Sequence, residues 1–353
     1  MKGVEGKVMK RYWAPILCTI LFLATWVAID ANAQNSGKAA VQSHVAAAKA
    51  AAYEPGNDLT QLYDTVCAPA LSDRGPREPD IQAVAESRAP QTGPRAEWRT
   101  PPGKAFDNLY YIGSPFQSTW AVTTSDGIIL IDSGYDYSAK ELITDGLKKL
   151  HRDPTQIKYV VLTHVHGDRF YGARYLQDTY KARVIMSEAD WNVMTKTNDP
   201  SELKPKKDMV ATDGMKLTLG DTTLTLYITP GHTPGTVSVL VPLKDGNERH
   251  VGAVWGGINA DVGRNGVRYF PNMEETFKTW IASANRFQDI AAKANADVYV
   301  TLHPFYDKAL DKLHALNFRK PGGPNPFVSK DNLNRFLTII RECTAAELSK
   351  IGS

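Results

Sequence analysis

The sequence predicts an α/β chain folded as a four-layer α/β/β/α sandwich. Three observations carry that expectation. From about residue 104 onward, short β-branched runs alternate with stretches of helical spacing. Both halves of this region run from β-rich to helical, which suits two sheets packed face to face with helices outside. Three of the expected strands also end in a histidine, so the fold would gather them at one edge.

At the N-terminus, Lys2, Lys7, Lys10 and Arg11 precede an apolar stretch from Tyr12 to Ile29, and Ala31-Asn32-Ala33 follows. A basic region, a hydrophobic region and a small-x-small site together predict a cleaved secretory signal over 1–33. An uncleaved anchor is the alternative, because the apolar stretch approaches the ~20 residues that span a bilayer. Residues 34–103 then form a helical and afterwards proline-rich extension. Alanines between 38 and 53 favour a helix that stops before Pro55-Gly56, and a second short helix fits Leu59–Val66. Prolines recur from Pro69 to Pro102, so Ala68 to Pro102 is expected to run extended along the main domain, with Trp98 as its anchor.

The main domain is placed at 104–318. Leu109–Gly113, Ser118–Thr124 and Gly127–Asp132 read as successive strands, and Ser138–Leu150 has helical spacing through Leu142, Leu147 and Leu150. Ile157–Leu162 suits a strand buried on both faces. Helix Phe170–Tyr180, strand Arg183–Met186 and helix Ala189–Thr195 follow. Beyond the charged loop Lys204–Asp208 come strands Met215–Leu219, Thr222–Ile228, Thr236–Val241 and Gly252–Trp255. A long amphipathic helix Met273–Ala294, a strand Val298–Leu302 and a helix Phe305–Ala315 complete the domain. Residues 319–353 are expected as a helical tail, with a Pro/Gly turn at 321–326 and a helix Lys330–Leu348.

Composition is that of an ordinary globular protein, with 42% hydrophobic and 22% charged residues. Loss of 1–33 removes four positive and two negative side chains from a formal +3 and leaves +1. That balance gives no reason to expect nucleic acid or, after signal cleavage, a stable membrane partner. Cys18 lies in the signal and lacks a lipid-attachment context. Cys67 and Cys343 remain; in an exported chain they could bridge the two ends of the fold or stay as unrelated buried thiols.

Residues 163–172 read Thr-His-Val-His-Gly-Asp-Arg-Phe-Tyr-Gly, directly after a predicted strand. His164 and His166 share a side-chain direction if the loop is extended, and Asp168 adds a carboxylate. His232 lies in Thr229-Pro230-Gly231-His232-Thr233-Pro234-Gly235 after another strand, and His303 follows Val298–Leu302. Imidazoles with a carboxylate and an open position suit zinc. His44, His151, His250 and His314 have no such context and read as surface or satisfied histidines. Arg169 is the anomaly, because a guanidinium stays protonated and has no lone pair for a metal.

The run at 164–169 resembles the His-x-His-x-Asp-His signature of the metallo-β-lactamase superfamily. The resemblance extends through Ile131-Asp132-Ser133-Gly134, the Pro-Gly-His-Thr-Pro-Gly turn and His303-Pro304, over about 104–318. Within that superfamily the chain is most similar to exported class B β-lactamases of the third subclass. The resemblance implies a zinc site on His164, His166 and His232, with Asp168 and His303 in a second site and Asp132 as a buried, turn-fixing residue. Two departures stand out. Arg169 replaces the usual second-site histidine, and Trp255-Gly256-Gly257-Ile258 carries no carboxylate where glyoxalase and lactonase relatives have a bridging aspartate.

What the resemblance implies is a periplasmic or secreted hydrolase of antibiotic resistance that opens a β-lactam amide with a zinc-bound hydroxide. One zinc site is expected, and the second is in doubt. Asp168 would orient the water and take its proton. Arg169 would pair with Asp168 or clamp a substrate carboxylate, or else face away from the metal as a salt-bridged residue with Asp168 or Asp190 as partner. The alternatives are an esterase, lactonase or thioesterase acting on another small molecule, and a catalytically impaired binding homologue. Tyr110, Tyr111, Phe116, Trp120 and Trp255 are candidates for a substrate wall or for core packing. Physiological substrate and oligomeric state stay open.

Overall fold

The computed structural model describes residues 37–53, 59–72 and 99–351. The expected signal and Trp98 lie outside them. Two main sheets dominate. The first has seven strands in sequence order: β1 (Gly103–Phe106), β2 (Leu109–Tyr111), β3 (Trp120–Thr124), β4 (Gly127–Ile131), β5 (Ile157–Val161), β6 (Arg183–Ser187) and β7 (Met209–Ala211). Pairing is antiparallel from β1 to β4 and parallel from β4 to β7. The second sheet contains β8 (Met215–Leu219), β9 (Thr222–Ile228), β10 (Val237–Asp245), β11 (Glu248–Val254) and β14 (Val298–Tyr299), in the order β14-β11-β10-β9-β8. A small ribbon pairs β12 (Gly263–Arg264) with β13 (Val267–Arg268).

The layers follow from alternation along the strands. On β4, Ile129 and Ile131 face the core between the sheets, while Ile128 and Leu130 face helices outside the first sheet. On β10, Val237, Val239, Val241 and Leu243 point into the same inter-sheet core, and Leu240 points outward. That outward face is covered by helices Met273–Lys293 and Asn332–Leu348, through Trp280, Phe287, Phe336 and Ile340. The result is helix, sheet, sheet, helix, as the sequence predicts.

The N-terminal helices 37–52 and Thr60–Val66 join this outer layer, burying Ala48, Ala52, Leu59 and Leu62. Cys67 and Cys343 form a disulfide across 276 residues, which resolves the choice between bridge and free thiols. None of the helices among the described residues is long and apolar enough to cross a membrane.

Several local expectations shift. Ser138–Leu150 is not one helix: a π-helical stretch, Ala139–Thr144, separates a short turn from Asp145–Lys149. The helix placed at Phe170–Tyr180 starts earlier, at Gly167, and breaks at Tyr171-Gly172 before Ala173–Tyr180. Ala68–Leu71 is a short helix with proline in its first turn, not part of an extended run. The helix expected from Phe305 begins at Ala309, because the chain before it turns on Thr301 and Pro304 hydrogen bonds.

Candidate metal centre

Each candidate ligand leaves a strand at the same edge of the sandwich. His164 and His166 follow β5, His232 lies on the turn between β9 and β10, and His303 follows β14. Two buried carboxylates hold these loops. Asp132, in a left-handed conformation at the end of β4 (φ 61°), accepts hydrogen bonds from Thr163 N at 2.8 Å and from the Thr163 hydroxyl. Burial pushes its carboxyl up to about 6, against the pull of Arg169 and of the Thr163 donors. Asp190 accepts from Val165 N, the Thr233 hydroxyl and Gly235 N, at 3.0, 2.7 and 2.7 Å. One side chain therefore ties the His164–His166 loop to the His232 turn.

The structure brings His164, His166 and His232 together, with one candidate ligand atom from each lying within 4.8 Å of the others. All three rings are buried, and their centroids stand 4.4–4.7 Å apart. Hydrogen bonds decide which nitrogens face inward. His164 Nδ1 donates to Gly256 O and His232 Nδ1 donates to Asn259 O, both at 2.7 Å, since a carbonyl only accepts. Their Nε2 atoms then carry lone pairs, and these meet at 3.2 Å. Two lone pairs facing one point repel unless a cation lies between them. His166 turns its Nε2 towards Tyr269 and, at 3.8 Å, Asp261, which leaves Nδ1 for the centre.

This donor set fits zinc: three neutral imidazoles, two with their tautomer fixed by an outer acceptor. Burial holds all three rings neutral, with His232 lowered to about 4 and His164 and His166 well below their ordinary value. Close packing supports the geometry. A Cβ at Gly257 would stand 2.6 Å from His232 Cβ, and one at Gly231 (φ 133°) would stand 2.6 Å from Trp280 Cα.

Asp168 and His303 also come together, with Arg169 between them. The Arg169 side chain has no exposed surface. One terminal nitrogen, Nη2, lies 2.6 Å from Asp168 Oδ2 and 2.6 Å from His303 Nε2. The other, Nη1, donates to Leu302 O at 3.0 Å and to Asp132 Oδ2 at 3.4 Å. His303 Nδ1 donates to Phe116 O, so its Nε2 is free to accept from the guanidinium. Burial and the Arg169 charge lower His303 to about 3. Burial alone would raise Asp168, but Arg169 and His303 outweigh it and hold the carboxyl below the usual range.

Three readings of Arg169 need correction, and that of the aromatic residues is decided for core packing. Arg169 has both terminal nitrogens engaged and is buried, which leaves neither of them for clamping a substrate carboxylate. It does not face away from the ligand cluster either. Its carboxylate partners are Asp168, as expected, and Asp132; Asp190 is not among them. Of the aromatic wall, Tyr110, Tyr111, Trp120 and Trp255 are core residues, and only Phe116 is exposed, at 45%.

Asp190, Asp261 and the carbonyls of Gly256 and Asn259 were not singled out in the sequence as supports of the centre. Asp261 lies three residues beyond the Trp255-Gly256-Gly257-Ile258 strand end. It stands behind His166, paired with Arg264 at 3.0 Å. A cleft of about 490 Å³ opens beside the centre, lined by Asn259, Asp261, Arg264, Phe277, Tyr306 and Glu347, among others. Val66 from the N-terminal extension reaches this cleft.

Fold and ligand set are those of an α/β/β/α sandwich with a histidine cluster that could hold a metal ion. Residues 113–246 match the family model described as the metallo-beta-lactamase superfamily. Among solved structures, BJP-1, a subclass B3 metallo-β-lactamase of Bradyrhizobium japonicum, is 27% identical with a TM-score of 0.58, over 70% of this chain and 93% of that one. A Cronobacter sakazakii metallo-β-lactamase described by its HARLDQ motif is 26% identical with a TM-score of 0.58, over 75% and 95%. A curated relative, the N-acyl homoserine lactonase AttM of Agrobacterium fabrum, is 35% identical over 111 residues, which is 29% of this chain and 42% of that protein. The chain thus spans about two fifths of the length of the curated relatives it matches.

Proposed function

We propose that the protein is an exported hydrolase that opens a β-lactam amide at a one-zinc centre on His164, His166 and His232. The observation that carries this reading is the Arg169 nitrogen standing 2.6 Å from both Asp168 and His303. A cation bridging those two residues would need that position, and Arg169 supplies a permanent positive charge there. Zinc at the three histidines would supply Lewis acidity and a water acidic near pH ~7. Asp168, with one oxygen held by Arg169, would be the group placed to orient a nucleophilic water and take up its proton. Overall likeness to BJP-1 supports the β-lactam substrate. The Cronobacter relative, whose motif also lacks a final histidine, is still named a metallo-β-lactamase. Export rests on the basic and apolar N-terminus, and the Cys67–Cys343 bridge suits an oxidising compartment.

A second reading, lactone hydrolysis, is favoured by the AttM likeness. Zinc-loaded protein assayed with a chromogenic cephalosporin beside an N-acyl homoserine lactone separates the two. Turnover of the cephalosporin that disappears in His232→Ala supports the proposal. Lactone turnover alone replaces it, and no turnover of either points to a binding homologue.

A further inference from the structure

We propose a second cation site, remote from the histidine centre, formed by Asp245, Glu248 and His250 at the tip of the β10–β11 hairpin and suited to a zinc-class divalent ion. The sequence places His250 among the isolated histidines, but the fold surrounds it with carboxylates. β10 and β11 are joined through Gly246-Asn247, which sets Asp245 directly opposite Glu248 and Leu243 opposite His250. Alternation puts Glu248 and His250 on one face. Two carboxylates directly opposite each other on a hairpin repel, so a bound cation would remove a cost built into this turn.

The His250 ring supplies the independent observation. Its Nδ1 donates to Asp297 Oδ2 at 2.7 Å, and Asp297 Oδ1 is itself held by Val251 N at 3.1 Å. With Nδ1 engaged by Asp297, Nε2 is the ring atom that a cation would take. The side chain is only 9% exposed, and Nε2 is buried without a hydrogen-bond partner among the described residues. It faces Glu248 Oε2 at 3.5 Å. That separation is close to the edge of a tetrahedron with metal bonds of about 2.0–2.1 Å. One ligand atom from each of Asp245, Glu248 and His250 lies within 4.8 Å of the others. A carboxylate fixing a histidine that in turn faces an ion is a recurrent zinc-site arrangement.

Arg319 donates to Asp245 at 2.8 Å and offsets part of the negative charge. A cleft of about 540 Å³, also lined by the Lys104–Asp107 ion pair, opens beside Asp245 and Glu248 and gives an ion access. From Val237, next to the His232 turn, β10 runs nine residues to Asp245. At ~3.4 Å per residue the hairpin tip is about 27 Å from the start of the strand, so the two sites bind independently.

The test is a titration of metal-stripped full chain with Zn²⁺ by calorimetry and with Co²⁺ by absorption spectroscopy. Wild type should bind one equivalent more than His250→Ala. His232→Ala should keep the hairpin equivalent, and His232→Ala/His250→Ala should keep neither. Glu248→Gln changes an exposed residue, so the fold survives, and it should weaken the hairpin equivalent at least about tenfold. Equal stoichiometry in wild type and His250→Ala overturns the site. So does ¹⁵N NMR showing both His250 ring nitrogens protonated in zinc-saturated protein, since a second proton would then fill the place of the ion. If His232→Ala binds as much as wild type, the one-zinc reading of the histidine centre fails while the hairpin site stands.

Discussion

Replacing Arg169 by histidine takes the guanidinium out from between Asp168 and His303 and offers a metal ligand instead. Coulomb's law at an effective dielectric of ~20 puts the gross attraction at about 6 kcal/mol for Asp168 at 2.6 Å and about 5 kcal/mol for Asp132 at 3.4 Å. Desolvation of a fully buried guanidinium cancels much of this, and breaking a buried pair costs about 3–5 kcal/mol net. Metal-free Arg169→His should lose that much stability, read as a lower urea midpoint with an unchanged slope. Zinc should then restore part of it, about 2.7 kcal/mol at a hundredfold excess over the dissociation constant. Arg169→Met is the control: it should show the same loss and, on adding zinc, only the gain from the three-histidine site that the parent also shows. Zinc content, counted in a His250→Ala background to exclude the hairpin, should rise from one to two in Arg169→His only. The reasoning is refuted if metal-free Arg169→His is as stable as its parent, or if the parent already holds two zincs at the histidine centre.

Asp190→Asn sets an amide donor against a backbone N–H at Gly235 or Val165, so thermal stability should fall by about 1–3 kcal/mol and zinc affinity by about tenfold to a hundredfold. Gly257→Ala pushes its methyl against the His232 ring, and competition with a chromophoric chelator should show weakened zinc binding. Glu347 is raised to about 7 by burial, with Lys350 opposing. The folded chain binds this proton more tightly than the unfolded one, so the contribution is full below about pH 4.5 and is lost as pH rises through about 7. Glu347→Gln should therefore stabilise the protein at pH 8 by up to about 2 kcal/mol after discounting for partial exposure, and should have little effect at pH 4, by denaturant titration. Cys343→Ser should cost about 5.6 kcal/mol on the chain-entropy model for a 276-residue separation, seen as a lower midpoint under oxidising conditions.

Long alternating runs make much of the fold legible in the sequence. β8 and β9 fall at the residues that alternation picks out, because each buries one face only. Strands β1 and β7 give almost no such signal: one is four residues with a register shift, the other three residues after a charged loop. Apolar spacing at Leu142, Leu147 and Leu150 could not distinguish a π-helical stretch from an α-helix. The histidines were readable because ligands must be particular residue types. Their supports were less so, since Gly256 and Asn259 act through backbone carbonyls that any residue provides. Arg169 was visible as an anomaly, but its partner Asp132 lies 37 residues earlier and meets it only through the β4–β5 pairing.

The charge balance around the centre connects these features. Asp132 and Asp168 bring two negative charges, and Arg169 neutralises one of them without exchanging with solvent. A single divalent ion on the three neutral histidines then leaves the cluster with one net positive charge. A two-metal version with histidine at 169 would carry two, so the present arrangement attracts an anionic substrate less strongly but does not depend on recruiting a second ion. Activity against zinc concentration should accordingly saturate in one phase, with no second step at higher metal. Arg169→His should introduce that second step and, with its extra positive charge, a steeper dependence of kcat/KM on ionic strength for anionic substrates. A biphasic zinc response in the parent that persists in His250→Ala would mean that Arg169 yields its place to a metal, and the guanidinium would then be a displaceable gate instead of a fixed substitute.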